Sequence, residues 1–351
     1  MRLAVVQCLV VIGMPFIFVL SFIMGEESTA QVNLEYWMRD LPPQLKEVPL
    51  IYLAIPGIHD SMTYGITHDS GLAPDAEPIL YRLYPLFRGT ILRWTKTQAL
   101  NVQQQLQIGI RYLDLRLATK NGTDSFFFTH GLYAEEITKP LEQVKDFLDT
   151  HPEEVVIVDC QHFYGFDIAD HRRLMFMLLR MFANRLVPRQ VDLREITLSS
   201  LHRLRQQIVI VYRHASGYSM AEFWPPEMLP SPWPQQHEAA GLARYLQHLK
   251  RHPGMGFVHQ AVLTPTPTFI VLRWLSNIRS KCAIPVLERV LPKILEFSPG
   301  PPLARGVNDP APVNVVIADF VDLDNALFPR KIIELNWKLL RNTDVVYHNS
   351  G

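Results

Sequence analysis

Short runs rich in Val, Ile, Tyr and Phe recur along this chain between longer amphipathic stretches, and that alternation limits the folds open to it. Strand-like runs cover residues 49–55, 110–115, 125–129, 155–159, 207–212, 257–263 and 313–320, bounded by Gly, Pro, Asn or Asp. Between two of them, residues 140–150 read "PLEQVKDFLDT", with Leu141, Val144, Phe147 and Leu148 on one helical face. Residues 167–186 and 323–340 also read as helices. Strand, helix, strand, helix predicts parallel strands with helices packed outside. Seven or eight strands suit a closed α/β barrel of the (β/α)8 TIM type better than an open sheet. No repeat, charge block or low-complexity linker divides the chain after residue 33. With 351 residues, 48% of them hydrophobic, one large core is affordable, and a single barrel domain over 34–345 is expected. Two proline-rich stretches, "WPPEMLPSPWPQQ" (224–236) and "SPGPPLARGVNDPAP" (298–312), read as surface excursions.

The N-terminus reads as a localisation signal. Residues 3–24 are apolar apart from Gln7, Cys8 and Ser21, with breaks at Gly13 and Pro15. Roughly twenty apolar residues can span a bilayer, while Ser28-Thr29-Ala30 offers a small-residue cleavage site. Residues 1–30 are expected to be a signal peptide or a signal anchor. Arg2 before the segment and Glu26 and Glu27 after it favour translocation of the body. The expected location is the secretory pathway, either anchored by residues 3–24 or secreted after cleavage, with the cytosol as the alternative. Asn121-Gly122-Thr123 is a glycosylation sequon usable in that topology. The three cysteines, Cys8, Cys160 and Cys282, make no disulfide framework. Basic and acidic residues balance at 34 each, so no nucleic-acid partner is expected.

In a barrel of parallel strands the chemistry gathers where strands end. The first strand run leads into "IPGIHDSMTYG" (55–65), which delivers His59 and Asp60 together. In "GIRYLDLRLA" (109–118) strand alternation puts Tyr112, Asp114 and Arg116 on one face. "SFFFTHGLY" (125–133) ends at His130-Gly131. "EEVVIVDCQHF" (153–163) presents Asp159, with Gln161 on its face and His162 on the other. "VNVVIADFVD" (313–322) runs into Asp319. Any one of these groups has a bland explanation as a turn cap or an ion pair. Five strand ends that each carry His, Asp or Arg predict a shared site, because buried charge is costly unless paired.

Two histidines, an arginine and several carboxylates, without an obvious nucleophile, suit phosphoryl transfer by acid–base catalysis. One imidazole takes a proton from the attacking hydroxyl and the other returns one to the leaving oxygen. A guanidinium steadies charge on the non-bridging oxygens. A carboxylate facing the base fixes its tautomer.

Taken together, "LAIPGIHDSMTY", "GIRYLDLR", "THGLY", "VDCQHFY" and "IADFVDL" resemble the phosphatidylinositol-specific phospholipase C X-domain-containing proteins, small animal relatives of the bacterial enzymes. The resemblance spans roughly residues 34–345 and implies an irregular (β/α) barrel acting on phosphatidylinositol-type lipids at a membrane surface. Motif by motif, it implies that His59 is the general base, with Asp319 as its partner, and that His130 is the general acid. It also implies that Asp60 supports the acid side and that Asp114 and Arg116 surround the phosphate. Asp159 and Arg213 are expected to contact substrate, and Trp233 head group or membrane; for Arg213 and Trp233 a plain surface role is the alternative. Two positions depart from the pattern. Ile58 stands where the family usually has serine, and Gln161 falls near a lysine of bacterial relatives or a glutamate of calcium-dependent ones.

The resemblance further implies that no metal or other cofactor is needed. Arg116 occupies the position of a second carboxylate in the calcium-dependent relatives, and a cation there repels Ca²⁺, which needs six to eight oxygens. The same position disfavours the glycerophosphodiester phosphodiesterases, and no H-E-x-x-H, paired C-x-x-C or Walker motif is present. Two other readings remain: the same chemistry on a glycosylated inositol anchor or a lysophospholipid, and a non-catalytic lipid-binding barrel.

Overall fold

The structure, a computed structural model, describes residues 32–302 and 311–346. The expected leader at residues 1–30, with Cys8, lies outside the described residues, as do residues 303–310 of the second proline-rich stretch. Among the described residues, no helix is long and apolar enough to cross a membrane.

Among the described residues nine strands form one curled sheet: β1 (Ile55–Ile58), β2 (Tyr112–Thr119), β3 (Phe126–His130), β4 (Leu132–Glu136), β5 (Val156–Tyr164), β6 (Ile208–Tyr212), β7 (Phe223–Trp224), β8 (Val258–Gln260) and β9 (Val315–Ala318). Seven are parallel neighbours in the order β7-β6-β5-β2-β1-β9-β8, while β3 and β4 form an antiparallel hairpin on β2. The hairpin departs from the all-parallel expectation. It follows from the exposed turn at 121–124, which sends the chain straight back along β2. Alternation along the strands splits the core in two. Leu113, Val158, Ile210 and Val316 face the outer helices, whereas Tyr112, Ile157, Val209 and Ile317 fill the barrel interior.

The ring closes irregularly. Between β7 and β8 the ladder is replaced by residues 228–231, whose carbonyls accept from β8 and its approach: Gly256 N to Met228 O and Val258 N to Pro230 O, both 2.9 Å. The proline-rich stretch 224–236 is therefore partly a stave of the barrel and not simply a surface excursion. Prolines cannot donate to a ladder, so this stave only accepts and never becomes a regular strand.

Residues 49–55 also differ from expectation: only Ile55 joins β1, and Leu50–Tyr52 form a 3₁₀ turn. Side chains satisfy this backbone in place of a sheet partner. Asn336 bonds both Ala54 N (2.8 Å) and Ala54 O (2.9 Å), and Asn314 Nδ2 donates to Leu50 O and Leu53 O. β1 itself runs through Gly57, where a Cβ would lie 2.8 Å from Ile317 and 2.9 Å from Tyr112. At the opposite end of the barrel the buried Arg111–Glu154 pair (2.8 Å) anchors the chain entering from residue 35.

Helices were expected at 140–150, 167–186 and 323–340. They occupy Thr138–Thr150, Ile168–Phe182, and a pair, Leu323–Glu334 and Trp337–Val346. A further helix, Leu80–Thr95, is bent at Phe87, close to Pro85. Cys160 and Cys282 are both free and buried.

Candidate active site

At the C-terminal ends of β1, β3 and β9 and along β2, six predicted side chains converge: His59, Asp60, Asp114, Arg116, His130 and Asp319. His59 follows β1 directly, and its amide bonds Ala318 O of β9. Asp60 (φ 45°) and Phe320 (φ 45°) are left-handed, one beside His59 and the other beside Asp319. For a bulky Phe that conformation is costly, and strain of this kind gathers at functional sites.

His59 Nδ1 lies 2.8 Å from Asp319 Oδ1. An ionised carboxylate only accepts, so Nδ1 carries the hydrogen. On the other side of the ring, Nε2 lies 3.0 Å from Arg116 Nη2, a group that only donates, and 3.3 Å from Asp60 Oδ2. His130 Nδ1 donates to Thr95 O (2.7 Å), which turns its Nε2 to 3.2 Å from the same Asp60 oxygen. The two imidazole centres are 6.3 Å apart and nearly perpendicular. Two oriented imidazoles thus meet across one buried carboxylate.

Arg116 Nε approaches Asp60 Oδ1 at 2.5 Å, without the alignment of a hydrogen bond. Its ion-pair partner is Asp60. Asp114 instead receives the Asp60 amide at 3.3 Å. The charges shape one another. Burial opposes ionisation of Asp60, but Arg116, His130 and His59 hold its carboxyl down to about 2. Asp114 is pushed up to about 6 by burial and by the Asp60 charge, against the pull of Arg116. For His59, burial lowers the pKa, yet Asp60 and Asp319 together raise it above the ordinary 6.5.

The other predicted residues lie in the barrel interior. Arg213 makes a two-pronged pair with Asp159 (Nε–Oδ1 2.8 Å, Nη2–Oδ2 2.7 Å) and donates to Leu229 O. Tyr112 OH also donates to Asp159 (2.8 Å), and Gln161 Nε2 reaches Tyr112 OH (3.1 Å) and Ser231 Oγ (3.3 Å). A register shift between β2 and β5 sets His162 opposite Arg116, so a bulge breaks the simple alternation read from the sequence. Ile58, in the serine position, packs outward in the core. Trp233, on the proline-rich stave, lies over the centre: its ring is 5.4 Å from that of His59 and 6.0 Å from the Arg116 guanidinium.

Sequence reasoning missed the groups that hold the histidines. Asp75 accepts from Thr129 Oγ1 (2.6 Å) and Gly131 N (2.7 Å), fixing the turn after His130, where Gly131 adopts φ 68°. Gln98 Nε2 donates to His59 O (2.7 Å). Both come from irregular segments without periodicity, so no local signal marked them.

His59, Asp60 and Asp114 offer ligand atoms within 4.8 Å of one another, the spacing of a metal site. The residues fit an ion poorly: the Arg116 guanidinium already lies against Asp60 and His59, and a hard cation such as Ca²⁺ wants six or more oxygens.

The family model for the phosphatidylinositol-specific phospholipase C X domain matches residues 90–214. The PI-PLC X domain-containing protein 3 of Danio rerio is 33% identical over 325 residues, covering 90% of this chain and 97% of that protein. The human PI-PLC X domain-containing protein 1 is 33% identical over 317 residues, covering 87% and 93%. Among solved structures, the phosphatidylinositol-specific phospholipase C of Listeria monocytogenes matches with a TM-score of 0.52 at 17% identity, covering 86% of this chain and 98% of that one. The S. aureus enzyme matches with a TM-score of 0.56 at 15% identity, covering 87% and 98%. At such identities these two structures establish the fold alone: an irregular α/β barrel.

Proposed function

The chain belongs to the PI-PLC X domain-containing proteins, and on that premise we propose that it is a metal-independent phosphodiesterase of phosphatidylinositol-type lipids. The observation that carries the reading is the convergence of His59 Nε2 and His130 Nε2 on Asp60 Oδ2, at 3.3 and 3.2 Å, with each Nδ1 tied elsewhere.

In this reading His59 Nε2, kept as an acceptor by its Nδ1–H bond to Asp319, removes the proton from the inositol 2-hydroxyl. The oxygen attacks phosphorus while the bond to the diacylglycerol oxygen breaks. His130 Nε2 delivers the proton that this leaving oxygen takes up, so the products are diacylglycerol and a cyclic inositol phosphate. Each proton transfer is worth roughly 10²–10⁴-fold. Arg116, held against Asp60, presents the rest of its guanidinium to the non-bridging oxygens, where a fixed cation stabilises developing charge without reorganisation of water. Asp60, shared between His130 and Arg116, keeps both aimed at the phosphate. The Asp159–Arg213 pair, with Tyr112 and Gln161, offers hydrogen bonds for the head group, and Trp233 covers the reacting centre. We also propose that residues 3–24 direct the body into the secretory pathway, where Asn121, on an exposed turn, is open to glycosylation.

The test is release of water-soluble inositol phosphate from vesicles containing labelled phosphatidylinositol, with and without chelator. Release that persists in chelator and is lost in both His59→Ala and His130→Ala supports the reading. Turnover within tenfold of wild type in either variant contradicts the acid–base assignment, and no release at all leaves a lipid-binding barrel as the better account.

A further inference from the structure

His130 stands on a turn that does not fix its own aim. β3 ends at His130, β4 begins at Leu132, and Gly131 alone joins them, at φ 68°. A glycine takes that conformation without strain, but it has no side chain to restrict the turn. Among the described strands β4 pairs only with β3, so no further strand stiffens the hairpin from outside.

A strap of chain, residues 71–75, does so instead. Tyr133 N donates to Gly71 O (3.0 Å) and Ala73 N to Gly131 O (3.1 Å), on either side of an antiparallel bridge between Leu72 and Leu132. Leu72 packs with Ile66, Tyr84, Ile91 and Leu132, which ties the strap to the helix Leu80–Thr95. Pro74, whose ring fixes φ, then leads into Asp75.

Asp75 closes the strap as a clamp. Its Oδ1 accepts from Thr129 Oγ1 (2.6 Å) and its Oδ2 from Gly131 N (2.7 Å), the residues on either side of His130. Hydrogen bonds to an ionised carboxylate are short and about twice as strong as neutral ones. Neither goes to the imidazole, whose Nδ1 donates to Thr95 O and whose Nε2 faces Asp60. Ring and backbone are thus held separately: Thr95 sets the rotation of the ring, and Asp75 sets the chain that carries it.

We propose that Asp75 is a positioning residue for His130, acting on protonation of the leaving oxygen and not on the attack. The proposal rests on the hydrolase reading, in which His130 is the acid. The base arm has its own supports, since His59 is held by Asp319 at Nδ1 and by Gln98 at its carbonyl. A misplacement of about 1 Å in a catalytic group costs on the order of 10²-fold in rate.

The experiment compares two inositol phosphodiesters. Phosphatidylinositol has an alkoxide leaving group that needs a proton, whereas inositol 4-nitrophenyl phosphate releases a phenolate that does not. Asp75→Ala should lower kcat on phosphatidylinositol by about 10²-fold and leave the nitrophenyl ester nearly unchanged. Asp75→Asn should recover most of the loss. Its amide oxygen still accepts from Gly131 N, and the Thr129 hydroxyl, turned to Leu132 O (3.4 Å), accepts from its amide nitrogen. If Asp75→Ala does not fold, Thr129→Val opens one arm of the clamp and should show the same split with a smaller loss. Equal losses on both diesters, or an Asp75→Asn variant as poor as Asp75→Ala, would overturn the positioning role. A second readout does not need turnover. In ¹⁵N-histidine-labelled protein, Asp75→Ala should shift or broaden the His130 Nδ1–H signal, and Asp75→Asn should keep it. A signal that Asp75→Ala leaves in place overturns the clamp whatever the activity. If wild type cleaves neither diester while the signal moves as expected, the clamp stands and the hydrolase reading falls.

Discussion

Neutralising Asp114 should stabilise the protein, although it removes a charge from the centre of the site. Its carboxyl is buried beside the ionised Asp60, and it is pushed from the ordinary 3.8 up to about 6, first by burial. The folded state therefore holds a proton that the unfolded chain has released. Stability falls as pH rises from about 4 to about 6, and the full penalty applies above that. At about 1.36 kcal/mol for each factor of ten, the penalty is about 3 kcal/mol. Asp114→Asn removes it but weakens the bond from the Asp60 amide, a loss of about 1 kcal/mol. The variant should gain about 2 kcal/mol at pH 8 and nothing, or a small loss, at pH 4. Asp60→Asn should instead lose stability, by a similar amount at both pH values. Its carboxyl is held down to about 2, so its ionised form contributes about 2 kcal/mol at pH 8, a contribution lost only as pH falls below about 4. Urea titrations followed by tryptophan fluorescence at both pH values read these differences directly. An Asp114→Asn variant less stable than wild type at pH 8, or one with the same gain at both pH values, would refute the reasoning.

Three other outcomes follow from the same geometry. His59 must be unprotonated to act as base, so kcat/KM should fall on the acid side through a value above 6.5. Asp319→Asn should move that limb to lower pH, and an unmoved limb would show that Asp319 does not set it. Arg116→Ala should cost about 3–4 kcal/mol in kcat with the circular dichroism spectrum unchanged, and Arg116→Lys should recover only part of it; full recovery by lysine would mean that only charge matters there. If residues 3–24 direct translocation, glycosidase treatment should speed the gel migration of wild type from cells but not of Asn121→Gln, whereas an unmodified Asn121 on a protease-sensitive body would place the barrel in the cytosol.

The sequence exposed the catalytic constellation because its members stand at strand ends, where an apolar run stops at a polar residue. His59, His130 and Asp319 could be read that way, and Asp114 and Arg116 by the alternation inside β2. Contacts between segments could not. The alternation in 109–118 put Asp114 and Arg116 on one face, but only the fold shows Arg116 against Asp60, a residue more than fifty positions away. Residues 49–54 look like a strand because they are buried and apolar, yet two distant asparagines satisfy their backbone. The stave at 228–231 was hidden because prolines suppress every strand signal while their carbonyls still accept. The helix Leu80–Thr95 was not foreseen because Pro85 and Gly89 stand inside it, both residues that ordinarily interrupt a helix.

The central claim is that two histidines, without a metal, pass the phosphorus through a cyclic diester. The ³¹P spectrum of the water-soluble product formed from phosphatidylinositol in chelator tests it most directly. The account predicts the resonance of a five-membered cyclic inositol phosphate as the first product, absent when His59→Ala or His130→Ala replaces wild type. An acyclic monoester as the first product, or a cyclic one formed only after calcium is restored, would contradict it.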